Sequence, residues 1–507
     1  RRCGIRFLSA YAELEQRFRR LANLGGAAAV LQWDWAAIMP TGGAEARAAQ
    51  LAELDVIRHE LMTDAVLADL LGAAESARAD LSPWQDANLT EMRHRWTHAN
   101  ALPTELVAAF STAASACEMV WREARSSNDF TTFQKAFEPL LALIREKAEA
   151  KSAAFGLAPY DALIDGYDPG FKCAEIDVIF DDLATFLPDF LAQVLDKQAR
   201  APAPLRPEGP FPVAQQQALS RALMERLGFD FDHGRLDESH HPFCGGVSED
   251  VRITTRYDES DFTSSLMAVL HETGHALYER GLPAAWRTQP VGDARSMSLH
   301  ESQSLLMEMQ VCRGVEFIGF AGPLMREAFS AADTVAEGAF VPENLHRLAI
   351  NVAPSYIRVD ADEVTYPAHI MLRYSLEKAM IAGDLHAADL PGAWQDGMQE
   401  FLGLTPRNDT EGCLQDIHWA GGDVGYFPSY TLGALIAAQL FECARRDIAE
   451  LPTDIAAGEF APLMTWLGDA VHSQASRYSS QDLIERATGR PLETDAFKAH
   501  LKARYLN

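Results

Sequence analysis

Long apolar runs are missing from this chain. The longest, Thr431 to Phe441, falls well short of the roughly 20 residues that a bilayer-crossing helix needs. The segment from Arg1 to Leu8 carries charge but no apolar stretch of signal-peptide length, and a first residue other than Met points to numbering that starts inside a longer gene product. Basic residues are scarce: 44 Lys and Arg stand against 72 Asp and Glu, a formal net charge of −28. Such a surface repels nucleic acid and anionic membranes alike, so neither is expected as a partner. Seven cysteines occur, an odd number with no C-x-x-C among them, which argues against a disulfide framework or a zinc knuckle. Free thiols in a reducing compartment, hence a soluble cytoplasmic protein, are the expectation. Low-complexity tracts and repeats are also lacking.

The 507 residues, 48% of them hydrophobic, suffice for one large core or two to three ordinary domains. Strand-like alternation is almost absent from the first half. Apolar positions at mixed three and four spacing (Leu8, Tyr11, Leu14, Phe18, Leu21, Leu24) predict a helix over 8–33. A loop at Met39–Gly43 follows, then a long helix from Ala44 to about Leu71 and others near 83–99, 103–127, 131–155 and 175–198. Asp129 reads as a helix cap. A Pro-rich segment, 201–210, reads as a surface loop within one domain rather than a boundary, because helix resumes over 212–228. The one β region is 230–257, where Asp250–Tyr257 alternates and is rich in β-branched residues. A strand edge beside a catalytic site would suit an extended peptide. Helical patterns then return: 299–313, 317–328, 343–350, 363–381, 390–402, 430–445, 459–472 and 480–487.

At the centre stands His271-Glu272-Thr273-Gly274-His275, an H-E-x-x-H in an apolar helical run that begins near Ser264. Residues four apart share a helix face, so both imidazoles can reach one ion. Glu272 lies about 100° round the helix, placed to take a proton from a metal-bound water. The apolar flanks imply burial, and two buried histidines beside a glutamate need partners, which a metal supplies. A catalytic zinc needs a third protein ligand. Glu301, Glu308 and His300 are the candidates downstream; Glu301 is favoured, against the alternative of a solvated acid at a helix start.

These residues, with His241-Pro242-Phe243, Asp250-Val251-Arg252-Ile253-Thr254, His300-Glu301-Ser302-Gln303, Ile357-Arg358-Val359-Asp360-Ala361-Asp362 and Gly412-Cys413-Leu414-Gln415-Asp416-Ile417-His418-Trp419, stand in an order that resembles the M32 family of metallocarboxypeptidases, the Taq-type carboxypeptidases. The early Gln32–Asp34 and Met39–Arg47 stretches resemble family sequence as well. The resemblance runs end to end. It implies a mainly α, large helical zinc-peptidase fold with a deep groove and a small sheet near the active site. It implies one peptidase domain over 1–507, with an N-terminal helical part over about 1–200 and a catalytic part over about 211–507. It also implies zinc, with cobalt as a possible substitute, held by His271, His275 and Glu301, and a homodimer.

The activity expected from the resemblance is release of single C-terminal residues from peptides with a free C-terminus, with broad specificity. A dipeptidyl carboxypeptidase or an oligoendopeptidase on the same metal site is the near alternative, and a helical scaffold protein with a dead site the distant one; the chain keeps Glu272 and Glu301, which a dead site would lack. Glu272 is the expected general base. His418 and Tyr430, or Tyr426 in its place, are expected to donate to the tetrahedral oxyanion. Arg358 is the first choice for reading the substrate carboxylate and Arg252 the second, because a guanidinium fork meets a carboxylate bidentately. The alternative for Arg358 is a structural ion pair with Asp360 or Asp362. His241 is expected to line the groove.

Overall fold

The computed structural model describes residues 2–329 and 338–507, with side chains from Ala10 onward. The Leu8 side chain named above and the thiol of Cys3, one of the seven cysteines, lie outside the described residues. About 70% of the chain is helical, and the described residues hold one three-stranded sheet, as expected. No helix among them is long and apolar enough to cross a membrane. The chain divides into two compact units, each assembled from three stretches: Arg1–Ala99, Pro204–Ala349 and Ile436–Leu492 in the first, Asn100–Ala203, Ile350–Leu435 and Glu493–Asn507 in the second. The Pro-rich segment 201–210 contains the passage from one unit to the other.

In the first unit, the helix Arg2–Ala37 turns Tyr11, Leu14 and Phe18 onto Leu67, Leu71, Leu89 and Met92. Each such side chain contributes about 1.5–3 kcal/mol by leaving water. Asn88, fully buried, joins three segments: its amide donates to Tyr11 Oη (3.0 Å) and Gln289 Oε1 (3.1 Å) and accepts from the Val291 amide (3.2 Å). The helix expected over 44–71 is two, Ala44–Thr63 and Ala65–Glu75. Asp64 breaks it, leaving helical geometry (ψ 124°) so that its carboxylate can accept the Val66 amide at 3.0 Å. Short acidic side chains compete with the helix ladder in this way.

The sheet joins β1 (Gly234–Glu238), β2 (Phe243–Val247) and β3 (Asp250–Thr255) in the order β1-β3-β2, with β1 parallel and β2 antiparallel to β3. The alternating run is therefore the central strand. It buries Val251 and Ile253 against Val269 and Ala276 of the helix Phe262–Gly281, which carries H-E-x-x-H. An extended peptide would have to pair with β1 or β2. Asp261 caps that helix by accepting the Thr263 amide (2.9 Å). The helix expected over 299–313 begins as Met297–Leu305 and widens into a π-helix, Leu306–Cys312. Such widened turns re-aim side chains and recur at functional sites.

In the second unit, Thr104–Ser127 packs along Phe130–Phe155, burying Trp121, Phe133, Phe137 and Ile144. Asp129 caps the latter helix as expected, accepting the Thr132 amide (3.0 Å). The last helix, Asp495–Leu506, was not foreseen, although Phe497, Leu501 and Tyr505 mark its apolar face. It is held by buried Glu363, which accepts from His500 Nε2 (2.7 Å), Arg504 Nη1 (3.0 Å) and Tyr505 Oη (3.0 Å).

Candidate active site

One helical turn separates His271 from His275, and their ring centroids lie 5.0 Å apart. Glu301 faces both: Oε1 is 4.0 Å from His271 Nε2, and Oε2 is 3.6 Å from His275 Nε2. One ligand atom from each of the three residues fits within 4.8 Å of the others. Tetrahedral bonds of about 2.0–2.2 Å set ligand atoms about 3.4 Å apart, so two imidazole nitrogens and a carboxylate at these separations suit a divalent cation such as zinc. The other candidates for third ligand stand behind the histidines. Glu308 Oε2 lies 2.9 Å from His271 Nδ1, and His300 meets His275 on its Nδ1 side.

Gly274, inside the motif, makes this approach possible. A Cβ there would lie 2.5 Å from the Gln303 carbonyl oxygen and 2.7 Å from Ser304 Cα. Without one, the helix Met297–Leu305 crosses the motif helix backbone to backbone and brings Glu301 within reach of both rings. Gln303 is fixed in turn, its Oε1 3.0 Å from His472 Nε2.

The charges around the cluster favour a cation. Burial raises the Glu272 carboxyl to about 7, and the neighbouring Glu301 and Glu308 push the same way against His271 and His300. A group poised near neutrality suits proton transfer at neutral pH. His271 is held at about 10 although burial opposes its charge, because the hydrogen bond to Glu308 and the nearby carboxylates outweigh it. His275, with burial dominant, is lowered to about 4. The carboxylates thus hold one positive charge on the histidine pair, a charge that a bound dication would supply instead. Glu308 is drawn down to about 2 despite its burial, by Arg313 and His271; Arg313 Nη2 donates to its Oε1 at 2.7 Å.

The second unit gathers a different group. Arg358, 6% exposed, directs Nε (3.0 Å) and Nη2 (2.8 Å) to Asp416 Oδ1 and Nη1 to Tyr366 Oη (2.7 Å). Its ion-pair partner is therefore neither Asp360 nor Asp362; Asp362 accepts the Ala353, Val364 and Thr365 amides instead. Fully buried Arg373 takes the other Asp416 oxygen at 2.6 Å. Sequence reasoning missed this Asp416 bridge, although Asp416 stands in the same short motif as His418. Arg358 lies 5.2 Å over the Tyr430 ring, and the rings of Tyr426, Phe427 and Tyr430 surround His418 at 4.5–6.5 Å. Burial, together with the two arginines, lowers His418 to about 4, so it is neutral at pH 7. Buried Glu377 anchors the segment that bears these rings, accepting from Tyr160 Oη (2.7 Å), Trp419 Nε1 (2.7 Å) and the Gly425 amide (2.9 Å).

Arg252 and His241 belong to the sheet region of the first unit. Arg252 on β3 donates Nε and Nη2 to Asp250 and lies 4.4 Å over Trp33, which Arg235 also covers at 4.8 Å. Thr254, the last residue of that motif, accepts the Phe243 amide (3.2 Å) and donates its hydroxyl to Ser239 Oγ (2.7 Å), whose own hydrogen goes to a carbonyl, closing the turn between β1 and β2. The His241 side chain is exposed, while its carbonyl accepts from Ser239 Oγ at 2.6 Å.

The chain is 38% identical to thermostable carboxypeptidase 1 of Thermus thermophilus over 98% of either sequence. The solved structure of Trypanosoma cruzi metallocarboxypeptidase 1 superimposes with a TM-score of 0.96 at 41% identity, covering 98% of this chain and 100% of that one. The M32 carboxypeptidase of Deinococcus radiodurans gives 0.92 at 36% identity over 98% and 99%. The model of the carboxypeptidase Taq (M32) metallopeptidases matches residues 13–505, and the chain belongs to that family, a peptide hydrolase of the metallocarboxypeptidase type.

Proposed function

We propose that the protein is a zinc-dependent carboxypeptidase that releases single residues from the free C-terminus of peptides, with broad specificity. The observation that carries this reading is the meeting of His271, His275 and Glu301 within 4.8 Å, with Glu272 buried beside them. These three residues hold the ion, and cobalt can stand in for zinc on the same nitrogen and oxygen donors. Bound zinc supplies a Lewis acid that polarises the scissile carbonyl and lowers the pKa of water to about 7. Glu272 takes the proton of the attacking water on its carboxylate and hands it to the departing amine nitrogen.

Neutral His418 and the Tyr430 hydroxyl are proposed as donors to the oxyanion, with Tyr426 the substitute, since neutral donors stabilise developing charge without adding a full one. Arg358 is proposed to read the terminal carboxylate. Three of its five N–H groups are spent on Asp416 and Tyr366, leaving two to offer. Arg252 spends Nε and one Nη2 hydrogen on Asp250 and is the second choice, and His241 is proposed to contact the peptide further along. In a chain of net charge −28, Arg358 and Arg373 sharing the single Asp416 leave a local excess of positive charge, which suits a carboxylate substrate. A cytoplasmic homodimer in which residues 1–507 act as one peptidase domain completes the proposal, on the family resemblance.

Glu272→Gln tests the central step. The variant should keep stoichiometric metal and lose turnover by about a hundredfold or more, the usual size of a general-base contribution. Metal retention with a near-wild-type rate would remove Glu272 from the reaction.

A further inference from the structure

The two histidine ligands are backed by different chemistry. Behind His271 stands a carboxylate, Glu308, itself held by Arg313. Behind His275 stands another imidazole: His300 Nδ1 lies 2.6 Å from His275 Nδ1, and His300 Nε2 lies 2.9 Å from Glu279 Oε1. Two ring nitrogens this close must share one hydrogen, because two lone pairs or two N–H groups would repel.

On the reading that His275 binds metal through Nε2, which faces Glu301, that nitrogen carries no proton. Nδ1 then holds the hydrogen and donates it to His300 Nδ1. His300 is left protonated at Nε2, where it donates to Glu279. Every direction in the chain follows from the metal end. We infer that His300 and Glu279 are positioning residues, forming an imidazole–imidazole–carboxylate relay that fixes the tautomer and ring plane of His275 and ties together the two helices bearing the ligands.

The placement explains the tie. Glu279 follows His275 by one helical turn, whereas His300 precedes Glu301 on the other helix, so the relay leaves the motif helix, crosses and returns. The Tyr278 ring packs 5.4 Å from His300 and leaves it little freedom to turn. A neutral acceptor also draws less electron density into the ligand than a carboxylate does. His275 is thereby the weaker donor of the pair and leaves the metal more acidic than two carboxylate-backed histidines would.

The test measures zinc affinity of the full chain by competition with a chromophoric chelator, with circular dichroism as the check on folding. His300→Ala should loosen zinc about ten- to a hundredfold, the usual range for such outer partners. His300→Asn, whose Oδ1 can accept from His275 Nδ1, should recover most of that loss. Glu279→Ala should weaken zinc in the wild-type background and add nothing to His300→Asn, whose shorter side chain does not reach Glu279. Wild-type affinity in folded His300→Ala, equal losses in the Ala and Asn variants, or a Glu279→Ala effect that is the same in both backgrounds overturns the relay. Failure of the metal reading is separately visible: the wild type would bind no zinc, or His275→Ala would bind it as tightly as the wild type.

Discussion

Gly274→Ala isolates the link between helix packing and the metal cluster. Ordinary Cβ contacts begin at 3.4 Å, and a Cβ at 274 would sit 2.5 Å from the Gln303 carbonyl oxygen, so the crossing must open by 3.4 − 2.5 = 0.9 Å. Both atoms nearest that Cβ are backbone, and neither can swing aside. Overpacking of this kind costs about 1–3 kcal/mol. The gain in helix propensity of Ala over Gly, about 1 kcal/mol, offsets part of it. Net loss of stability is thus about 0–2 kcal/mol, and the metal-free variant should still fold. The ligand set fares worse, because metal–ligand distances tolerate errors of only about 0.2 Å, and an ångström of misplacement at a reacting centre costs about a hundredfold in rate. Zinc titration, turnover and thermal melts of the metal-free protein give the assay. Gly319→Ala is the control: exposed on its helix, with nothing within 4 Å of the added Cβ, it should gain about 0.5–1 kcal/mol and leave zinc binding unchanged. Wild-type zinc affinity and turnover in Gly274→Ala would refute the claim that backbone contact sets Glu301 against the histidines.

The remaining predictions concern charge. Glu363 is held at about 2, below the ordinary 4.5 of a glutamate, because His500 and Arg504 outweigh its burial. A depressed carboxylate stabilises the fold fully above 4.5 and loses that contribution as pH falls through about 2. At about 1.36 kcal/mol per unit this amounts to about 3 kcal/mol. Urea melts of Glu363→Gln should therefore show a deficit of that order at pH 7 that closes between pH 4.5 and 2; a deficit constant over that range contradicts the assignment. Arg358→Lys keeps the charge but loses the planar fork, so kcat/KM for a free-acid peptide should fall about tenfold or more. A fall of equal size in Arg252→Lys with none in Arg358→Lys would move the carboxylate-reading role to Arg252.

The histidine pair was legible because its signal is local. Residues 271 and 275 share a helix face by spacing alone, and the helical class followed from apolar periodicity. What remained hidden depends on contacts distant in sequence or on small backbone choices. Spacing alone leaves Glu301, Glu308 and His300 nearly level as the third candidate beside the histidines, because the crossing at Gly274 and the π-turn at Leu306–Cys312 decide which side chain faces forward. Asp416 as partner of Arg358 joins residues 58 apart, and nothing in spacing distinguishes it from Asp360 or Asp362. Asp64 divides a helix that periodicity alone runs together. The two interleaved units were hidden for the same reason, since each draws on three separate stretches of chain.

The central claim is carboxypeptidase action through a metal held by His271, His275 and Glu301. Its most direct measurement follows by mass the products from a short peptide and from its C-terminally amidated twin, each with and without a chelator. Stepwise loss of single residues from the free-acid peptide alone, abolished by chelation and restored by zinc, is the predicted result. Release of dipeptides, internal cuts, or equal attack on the amidated twin would contradict the assignment of a site that reads the terminal carboxylate, and cleavage indifferent to chelation would contradict the metal centre itself.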